Sequence, residues 1–233
     1  MSTQIEHLVE RDPRVSADEL LAGFTPSERF GEVSFDTYRP DPSQPSQAQA
    51  VEKLKTFAAG ASGGGASGGG FFSKLFGGQK SSGAAQGIYL DGGFGVGKTH
   101  LLASLWHAVP GPKAFGTFVE YTNLVGALTF RRTVDALKEY TLVCIDEFEL
   151  DDPGDTVLMS RLMRELADAG VKLAATSNTL PGSLGEGRFA AQDFQREIQV
   201  LSSQFEVVRI DGECLLDPLH AGLAGFGRGV SAL

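Results

Sequence analysis

Cysteine, basic residues and long apolar segments are all scarce in this sequence. Only two cysteines occur among 233 residues, at positions 144 and 214. Two lone cysteines without a pairing pattern argue against a disulfide framework or a zinc site and favour a reducing compartment. No apolar stretch approaches the roughly 20 residues that span a bilayer, and residues 1–14 are polar and acidic, unlike a signal peptide. We therefore expect a cytoplasmic protein whose contact with a membrane is at most peripheral.

The charge balance limits the class of partner. The chain has 20 basic and 29 acidic side chains, which gives a formal net charge of −9. Proteins that bind nucleic acid through its phosphates usually present a basic face, so nucleic acid is not the expected partner. Arg131 and Arg132 form the clearest basic exception. We interpret this pair first as a solvated or subunit-facing patch, and second as a nucleic-acid contact.

A glycine-rich loop near the middle of the chain carries most of the functional information. Residues 92–99 match the pattern G-x-x-x-x-G-K-[ST], between an apolar strand-like run and a helix-like run. Such a loop surrounds phosphates with backbone N–H groups, and Lys98 would reach the β- and γ-phosphates of ATP while Thr99 ligates Mg²⁺. A chance glycine cluster before a helix is the alternative. The predicted nucleotide-binding residues are Gly92, Gly93, Phe94, Gly95, Val96, Gly97, Lys98, Thr99 and His100.

Two acidic residues follow a predicted core strand. The run 142–145 is apolar throughout, as a strand buried on both faces requires, and it ends in Asp146 and Glu147. Ligands of open α/β sheets bind beyond the carboxyl ends of the strands. Asp146 is therefore predicted to act on Mg²⁺ through water, and Glu147 to accept a proton from the attacking water. An ordinary acidic turn at a strand end is the alternative.

A further predicted strand, 171–178, ends in the amide of Asn178. This side chain could lie beside Asp146 and hydrogen-bond the attacking water or the γ-phosphate. A turn-forming Asn before the Pro181–Gly182 pair is the alternative, and the segment by itself does not separate the two.

These motifs together resemble one family. The chain is similar to the ZapE/AFG-type ATPases, a branch of the AAA+ P-loop NTPases, over about residues 25–213. The matching segments, in order, are 35–40, 92–99, 146–148, 176–178, 187–189 and 208–212. The resemblance implies that ATP hydrolysis drives the remodelling of a protein partner, in cell division through the tubulin-like division ring protein. It implies assembly into a homo-oligomer if the family's helical lid is present.

The resemblance also assigns roles to individual residues. Asn178 would be the sensor 1 residue, and Arg188 would be an arginine finger presented to the nucleotide of a neighbouring subunit. Arg196 is the rival candidate for the finger, and an exposed loop arginine is the structural alternative. Tyr38 and Gln47 would contact adenine, although core packing explains them more simply.

The sequence divides into four segments. An N-terminal helical and aromatic segment (1–59) is expected to pack on the core, followed by a flexible Gly/Ser/Ala-rich linker (60–86), an ATPase core (87–212) and an atypical tail (213–233). Compared with the family, the tail resembles a truncation that removes most of the helical lid. The linker contains Phe71–Phe76, an apolar run interpreted either as a docking motif or as a plug on the core.

The predicted fold is α/β: a P-loop NTPase of AAA+ type, with a parallel five-stranded sheet flanked by helices. The remaining predicted elements are a capped helix at 16–21, a helix at 47–57, a strand at 115–121, helices at 124–130, 157–169 and 189–201, and a last strand at 205–210. Two other functions stay open: a helicase loader of the DnaC or IstB type that binds single-stranded DNA, and a nucleotide-gated scaffold that does not hydrolyse ATP.

Overall fold

The computed structural model describes residues 16–62, 87–149, 152–180 and 202–212, together with positions 196 and 199. The described chain forms one parallel sheet in the order β2-β3-β4-β1-β5. Its strands are β1 (Gly87–Gly92), β2 (Lys113–Thr117), β3 (Leu142–Asp146), β4 (Lys172–Ser177) and β5 (Phe205–Ile210). The predicted α/β fold with a five-stranded parallel sheet is confirmed.

Helices cover both faces of this sheet. They are α1 (Ala17–Leu21), α2 (Pro45–Ser62), α3 (Lys98–Ala108), α4 (Phe118–Leu128), α5 (Phe130–Leu137) and α6 (Pro153–Asp168), with a 3₁₀ turn at Glu28–Phe30. Within the described ranges, no helix is both long and apolar enough to cross a membrane.

Alternation along β1 shows how the core is divided. Ile88 and Leu90 pack with α2 and α3 on one face, whereas Tyr89 packs with α4 and α6 on the other. All six residues of β1 and all five of β3 are buried. A sheet covered on both faces needs continuous apolar strands, which is why these runs could be recognised in the sequence.

Local sequence signals fix several helix starts. At the start of α1, the Ser16 hydroxyl accepts a hydrogen bond from the Glu19 N–H (3.2 Å), and the Glu19 carboxylate accepts one from the Ser16 N–H (3.0 Å). This is the predicted capping box. Asp152 caps α6 in a similar way through the N–H groups of Gly154 and Asp155.

The predicted strand 115–121 is wrong at its C-terminal end. The chain leaves β2 at Thr117, where a capping box between Thr117 and Glu120 begins α4. A second helix that the sequence analysis did not separate, α5, follows Thr129, whose φ of 76° interrupts the helical path. Helix α2 also continues to Ser62, beyond the predicted boundary at residue 60.

Several predictions lie outside the described residues. They are the linker from residue 63, including Phe71–Phe76, the tail 213–233, and most of the helix 189–201, of which positions 196 and 199 are described and helical.

The strand order brings the predicted site together. Strand β4 lies between β1 and β3, so that Leu90 is paired with Thr176, and Ile145 with Ala175. The loops that leave β1, β3 and β4 therefore meet at the carboxyl edge of the sheet, where open α/β folds bind ligands.

Candidate functional site

The glycine loop connects β1 directly to α3. Gly95 and Gly97 have positive φ angles of 83° and 87°, a region that L residues with a side chain rarely adopt. Gly97 caps α3 without a side-chain hydrogen bond, so the first N–H groups of the helix face the loop. Loop and helix together therefore form an anion-binding geometry.

Gly92 has a different reason to be glycine. Its φ is not positive, unlike those of Gly95 and Gly97. It ends β1 against β5, and a Cβ on Gly92 would lie 2.4 Å from the carbonyl oxygen of Ile210. The requirement at this position is close packing of two strands.

Tyr38 supports the loop from the N-terminal segment. Its hydroxyl donates a hydrogen bond to the carbonyl of Val96 (2.8 Å), and a Cβ on Gly97 would come within 2.6 Å of its ring. The ring also meets that of His100 edge-on, with centroids 5.7 Å apart. These contacts favour packing over adenine contact for Tyr38.

Gln47 is held at both ends of its amide. Its Nε2 donates to the carbonyl of Asp211 (2.9 Å), and its Oε1 accepts from the N–H of Asp41 (2.8 Å). Gln47 is 7% exposed, so a ligand has little access to it. Its role in the structure is to attach the N-terminal segment to the end of β5.

Lys98 points back across the loop. Its ammonium donates hydrogen bonds to the carbonyls of Gly92 (2.8 Å) and Gly93 (2.7 Å) and to Oδ1 of Asn178 (2.9 Å). Burial lowers the pKa of Lys98, and the charges of Asp91 and Asp146 oppose that shift. The bond to Asn178 joins the loop after β1 directly to the end of β4.

Asp146 lies at the centre of the carboxyl edge and is 6% exposed. Its Oδ1 accepts hydrogen bonds from the hydroxyls of Thr99 (3.2 Å) and Thr176 (2.5 Å). A hydroxyl and a carboxylate are hard oxygen ligands of the kind that Mg²⁺ prefers, alongside water and phosphate oxygens. Among the described residues no group of three or more His, Cys, Asp or Glu could hold a metal by itself. The Thr99 hydroxyl and the Asp146 carboxylate, 3.2 Å apart, are oxygen donors that fit Mg²⁺.

Glu147 adopts an unusual backbone conformation. Its φ is 53°, and its side chain is exposed at the cavity. The next residue, Phe148, is completely buried, and its ring packs edge-on against Phe118 at 5.2 Å. The Asp-Glu-Phe sequence therefore places one residue beside the hydroxyls of Thr99 and Thr176, one in the cavity and one in the core.

A cavity of about 370 Å³ joins these groups. Its lining comprises Arg29, Phe30, Phe94, Gly95, Gly97, Lys98, Thr99, His100, Asp146, Glu147, Thr176, Ser177 and Asn178. Most of the predicted site residues are among them. Gly92, Gly93 and Val96 shape the loop without lining the cavity.

Four residues that line the cavity are not among those predicted from the sequence. Thr176 and Ser177 precede Asn178 on β4, and side-chain alternation along the strand could have indicated that Thr176 shares a side with Asn178. Arg29 and Phe30 belong to the 3₁₀ turn, which the Nε2 of His107 fastens through a 2.9 Å contact with the Phe30 carbonyl oxygen. No pattern in the sequence indicates this long-range contact.

Only some of the arginines singled out in the sequence lie among the described residues. Arg188 lies outside the described residues, and Arg196 is exposed but is not among the residues that line the cavity. Arg131 is 76% exposed and lies 3.6 Å from Asp135 and 3.9 Å from Glu165. Its acidic neighbours favour the solvated interpretation over a nucleic-acid contact.

The chain is similar to proteins of one family over most of its length. A family model described as AFG1-like ATPase matches residues 16–216. The cell division protein ZapE of Escherichia coli is 31% identical over 137 residues, which are 54% of this chain and 36% of that protein. Lactation elevated protein 1 homolog B of Danio rerio is 26% identical over 148 residues, 54% of this chain and 29% of that protein. The chain thus spans about a third of the length of these relatives.

Solved structures resemble the fold at low sequence identity. A DnaC helicase loader superposes with a TM-score of 0.53 and 16% identity, covering 79% of this chain and 99% of that one. AMPPCP-bound DnaA from Aquifex aeolicus superposes with a TM-score of 0.53 and 12% identity, covering 86% of this chain and 57% of that one. These similarities show the α/β P-loop fold.

Proposed function

Because the chain belongs to the AFG1-like ATPase family, we propose that it binds ATP with Mg²⁺ and hydrolyses it to remodel a protein partner. One observation carries this proposal: Lys98, Asp146, Glu147 and Asn178, which arrive from three separate loops, line a single cavity. In this proposal Lys98 serves as the cation at the triphosphate, Asp146 as the metal-binding carboxylate and Glu147 as the base. Asn178 supplies the amide.

Phosphate binding uses the loop and Lys98. The N–H groups at the start of α3 surround the phosphates, and the left-handed Gly95 and Gly97 allow the backbone to approach them. Lys98 exchanges its present oxygen partners for β- and γ-phosphate oxygens, which are stronger acceptors because they are charged.

The metal position uses Thr99 and Asp146. We assign the Thr99 hydroxyl as a ligand and Asp146 as the carboxylate that holds a metal-bound water. When bound, Mg²⁺ neutralises charge on the phosphates. Because Asp146 is nearly buried and has hydroxyl partners, it remains in place for this role.

Glu147 and Asn178 have different roles in the proposed chemical step. Glu147 accepts a proton as the water oxygen bonds to the γ-phosphorus and the bond to the β–γ bridging oxygen breaks. Asn178 hydrogen-bonds the water or the γ-phosphate. Arg188 would act on the nucleotide of a neighbouring copy, which requires a homo-oligomer.

For the partner, we propose a protein rather than nucleic acid. The net charge of −9 and the acidic neighbours of Arg131 disfavour a phosphate-backbone partner. By extension from the relative named as a cell division protein, the partner would be the tubulin-like division ring protein in the cytoplasm. Because the fold also resembles a helicase loader, single-stranded DNA serves as the competing ligand in the test.

A paired assay on one preparation of the full chain tests the proposal. ATP affinity is measured by calorimetry with Mg²⁺, and phosphate release is followed on the same sample. We expect saturable binding and steady turnover. Binding without turnover would establish a nucleotide-gated scaffold instead, and failure of both would remove the site assignment. Retention of single-stranded DNA on a filter at low salt would favour the loader.

A further inference from the structure

Thr176 makes three hydrogen bonds to three consecutive residues, the last of β3 and the two that follow it. Its hydroxyl donates to Oδ1 of Asp146 (2.5 Å) and accepts from the N–H of Glu147 (3.1 Å). Its carbonyl accepts from the N–H of Phe148 (2.7 Å). Thr176 is 2% exposed, so water does not replace these contacts.

The bonded residues include the most strained position of the site. Glu147 has a φ of 53°, which side-chain-bearing residues adopt only when their surroundings hold them there. The bonds on either side of Glu147 both end on Thr176, and Phe148 is fixed in the core. The backbone that aims the Glu147 carboxylate is therefore held by the hydroxyl and the carbonyl of one residue on the neighbouring strand.

The hydroxyl also has a definite direction. A threonine hydroxyl has one proton, and here it points to the Asp146 carboxylate, which leaves the oxygen lone pairs for the Glu147 N–H. The chain of donors runs from the Glu147 N–H through the Thr176 O–H to Asp146. Hydrogen bonds arranged in this order polarise one another. A change in the hydrogen bonding of Asp146 therefore alters the strength of the bond between the Thr176 hydroxyl and the Glu147 N–H.

We infer that Thr176 is a positioning residue whose hydroxyl couples the metal-side carboxylate Asp146 to the water-side carboxylate Glu147. The inference rests on the proposed ATPase function and extends it. A change in the position of the Asp146 carboxylate would reach the backbone of Glu147 through the Thr176 hydroxyl. Thr176 itself need not touch the nucleotide to act in this way.

Two variants separate the hydroxyl from the shape of the side chain. Thr176→Val keeps the branched shape but leaves the Glu147 N–H without its buried acceptor and removes one donor from Asp146. Thr176→Ser keeps the hydroxyl and removes the methyl group. Thr133→Val is the matched control. Thr133 lies on α5, away from the cavity, and is fully buried. Its hydroxyl donates a hydrogen bond to the backbone carbonyl of Thr129.

The experiment measures kcat, KM for ATP and the thermal midpoint of all three variants. We expect Thr176→Val to lower kcat on the order of 10- to 100-fold, as the loss of a buried hydrogen-bond partner implies. We expect ATP affinity without Mg²⁺ to change less than about threefold, a difference of under 1 kcal/mol. Thr176→Ser should recover most of the rate, and Thr133→Val should leave it unchanged.

Two results would overturn the inference. One is a wild-type kcat in Thr176→Val; the other is a Thr176→Ser variant as slow as Thr176→Val, which would assign the effect to packing of the methyl group. A lowered thermal midpoint in Thr176→Val is interpreted against Thr133→Val, which measures the cost of losing a buried threonine hydroxyl elsewhere.

A second measurement keeps the inference independent of turnover. If the wild-type chain releases no phosphate, the proposed function fails, yet exchange of the Glu147 amide with solvent still reports on its bond to Thr176. We expect faster exchange of that amide in Thr176→Val and near wild-type exchange in Thr176→Ser. Unchanged exchange in Thr176→Val would refute the coupling, whatever the enzyme does.

Discussion

The ammonium of Lys98 donates a hydrogen bond of 2.9 Å to Oδ1 of Asn178, a residue 80 positions further along the chain. This bond joins the phosphate-binding loop to the end of β4. A phosphate that engages Lys98 would compete with Asn178, and the amide would then be free to contact the γ-phosphate or water. Nucleotide binding at the loop would therefore be coupled to the position of β4.

The first prediction concerns Lys98. Lys98→Ala should weaken ATP binding by about 100-fold or more, because two charge-assisted hydrogen bonds of about 1.5 kcal/mol each are lost. Calorimetric titration with ATP measures this. Lys138→Ala, which removes an exposed lysine paired with Asp135, is the control and should bind normally. Wild-type affinity in Lys98→Ala would mean that ATP does not bind in this loop.

The second prediction concerns Glu147. Glu147→Gln should bind ATP normally but hydrolyse it about 10²- to 10⁴-fold more slowly, because the amide cannot accept the proton of the attacking water. Phosphate release under saturating ATP measures the rate. Glu139→Gln, at an exposed position on the chain before β3, should retain full activity. If Glu147→Gln retains its rate, another group must be the base.

The rule that ligands of open α/β sheets bind at the carboxyl ends of the strands accounts for much of the site. The apolar runs 88–90 and 142–145 revealed two buried strands, and the polar residues that follow them, Asp146 among them, lie where ligands of α/β sheets bind. These positions could be predicted because each depends on a local pattern. The start of α4 is also a local signal, because Thr117 and Glu120 form a capping box. These two residues lie within the predicted strand 115–121.

Other features depend on contacts between distant residues. The hydroxyl of Tyr38 meets the Val96 carbonyl across 58 positions, and Thr176 meets Asp146 across 30. Nothing near either residue in the sequence specifies its partner. The positive φ of Glu147 is equally invisible, because it arises from bonds to the neighbouring strand and from the buried Phe148.

The third prediction distinguishes the two interpretations of Tyr38. Because its hydroxyl holds the Val96 carbonyl, Tyr38→Phe should lower the free energy of unfolding by about 1 kcal/mol. It should also weaken ATP and GTP binding by similar factors, since the loop holds phosphates common to both. Denaturant unfolding and titration with each nucleotide measure these effects.

The control for Tyr38 is Tyr140→Phe, at a half-buried tyrosine that follows α5. It should leave both affinities unchanged. A loss of ATP binding in Tyr38→Phe that spares GTP would show instead that Tyr38 reads adenine, and the packing role would then be insufficient.

The fourth prediction concerns an ion pair beneath the loop. Asp91, at 1% exposure, accepts a 2.5 Å hydrogen bond from Arg209, whose side chain is 58% exposed. Arg209→Ala leaves the Asp91 carboxylate buried without its cation, whereas Asp91→Asn leaves Arg209 exposed and still 3.2 Å from Asp211. Removal of the cation should therefore lower the free energy of unfolding more than removal of the anion does.

We expect Arg209→Ala to lower the free energy of unfolding by about 2 kcal/mol, less than for a fully buried pair because water reaches the arginine side. Asp91→Asn should cost about half as much, and the double variant should cost less than the sum, since the two side chains act as one unit. Denaturant unfolding of the four proteins measures the cycle. Equal costs for the single variants, or strictly additive costs in the double variant, would contradict the account. Additive costs would mean that the contact between Asp91 and Arg209 contributes no coupling energy to the pairing of β1 with β5.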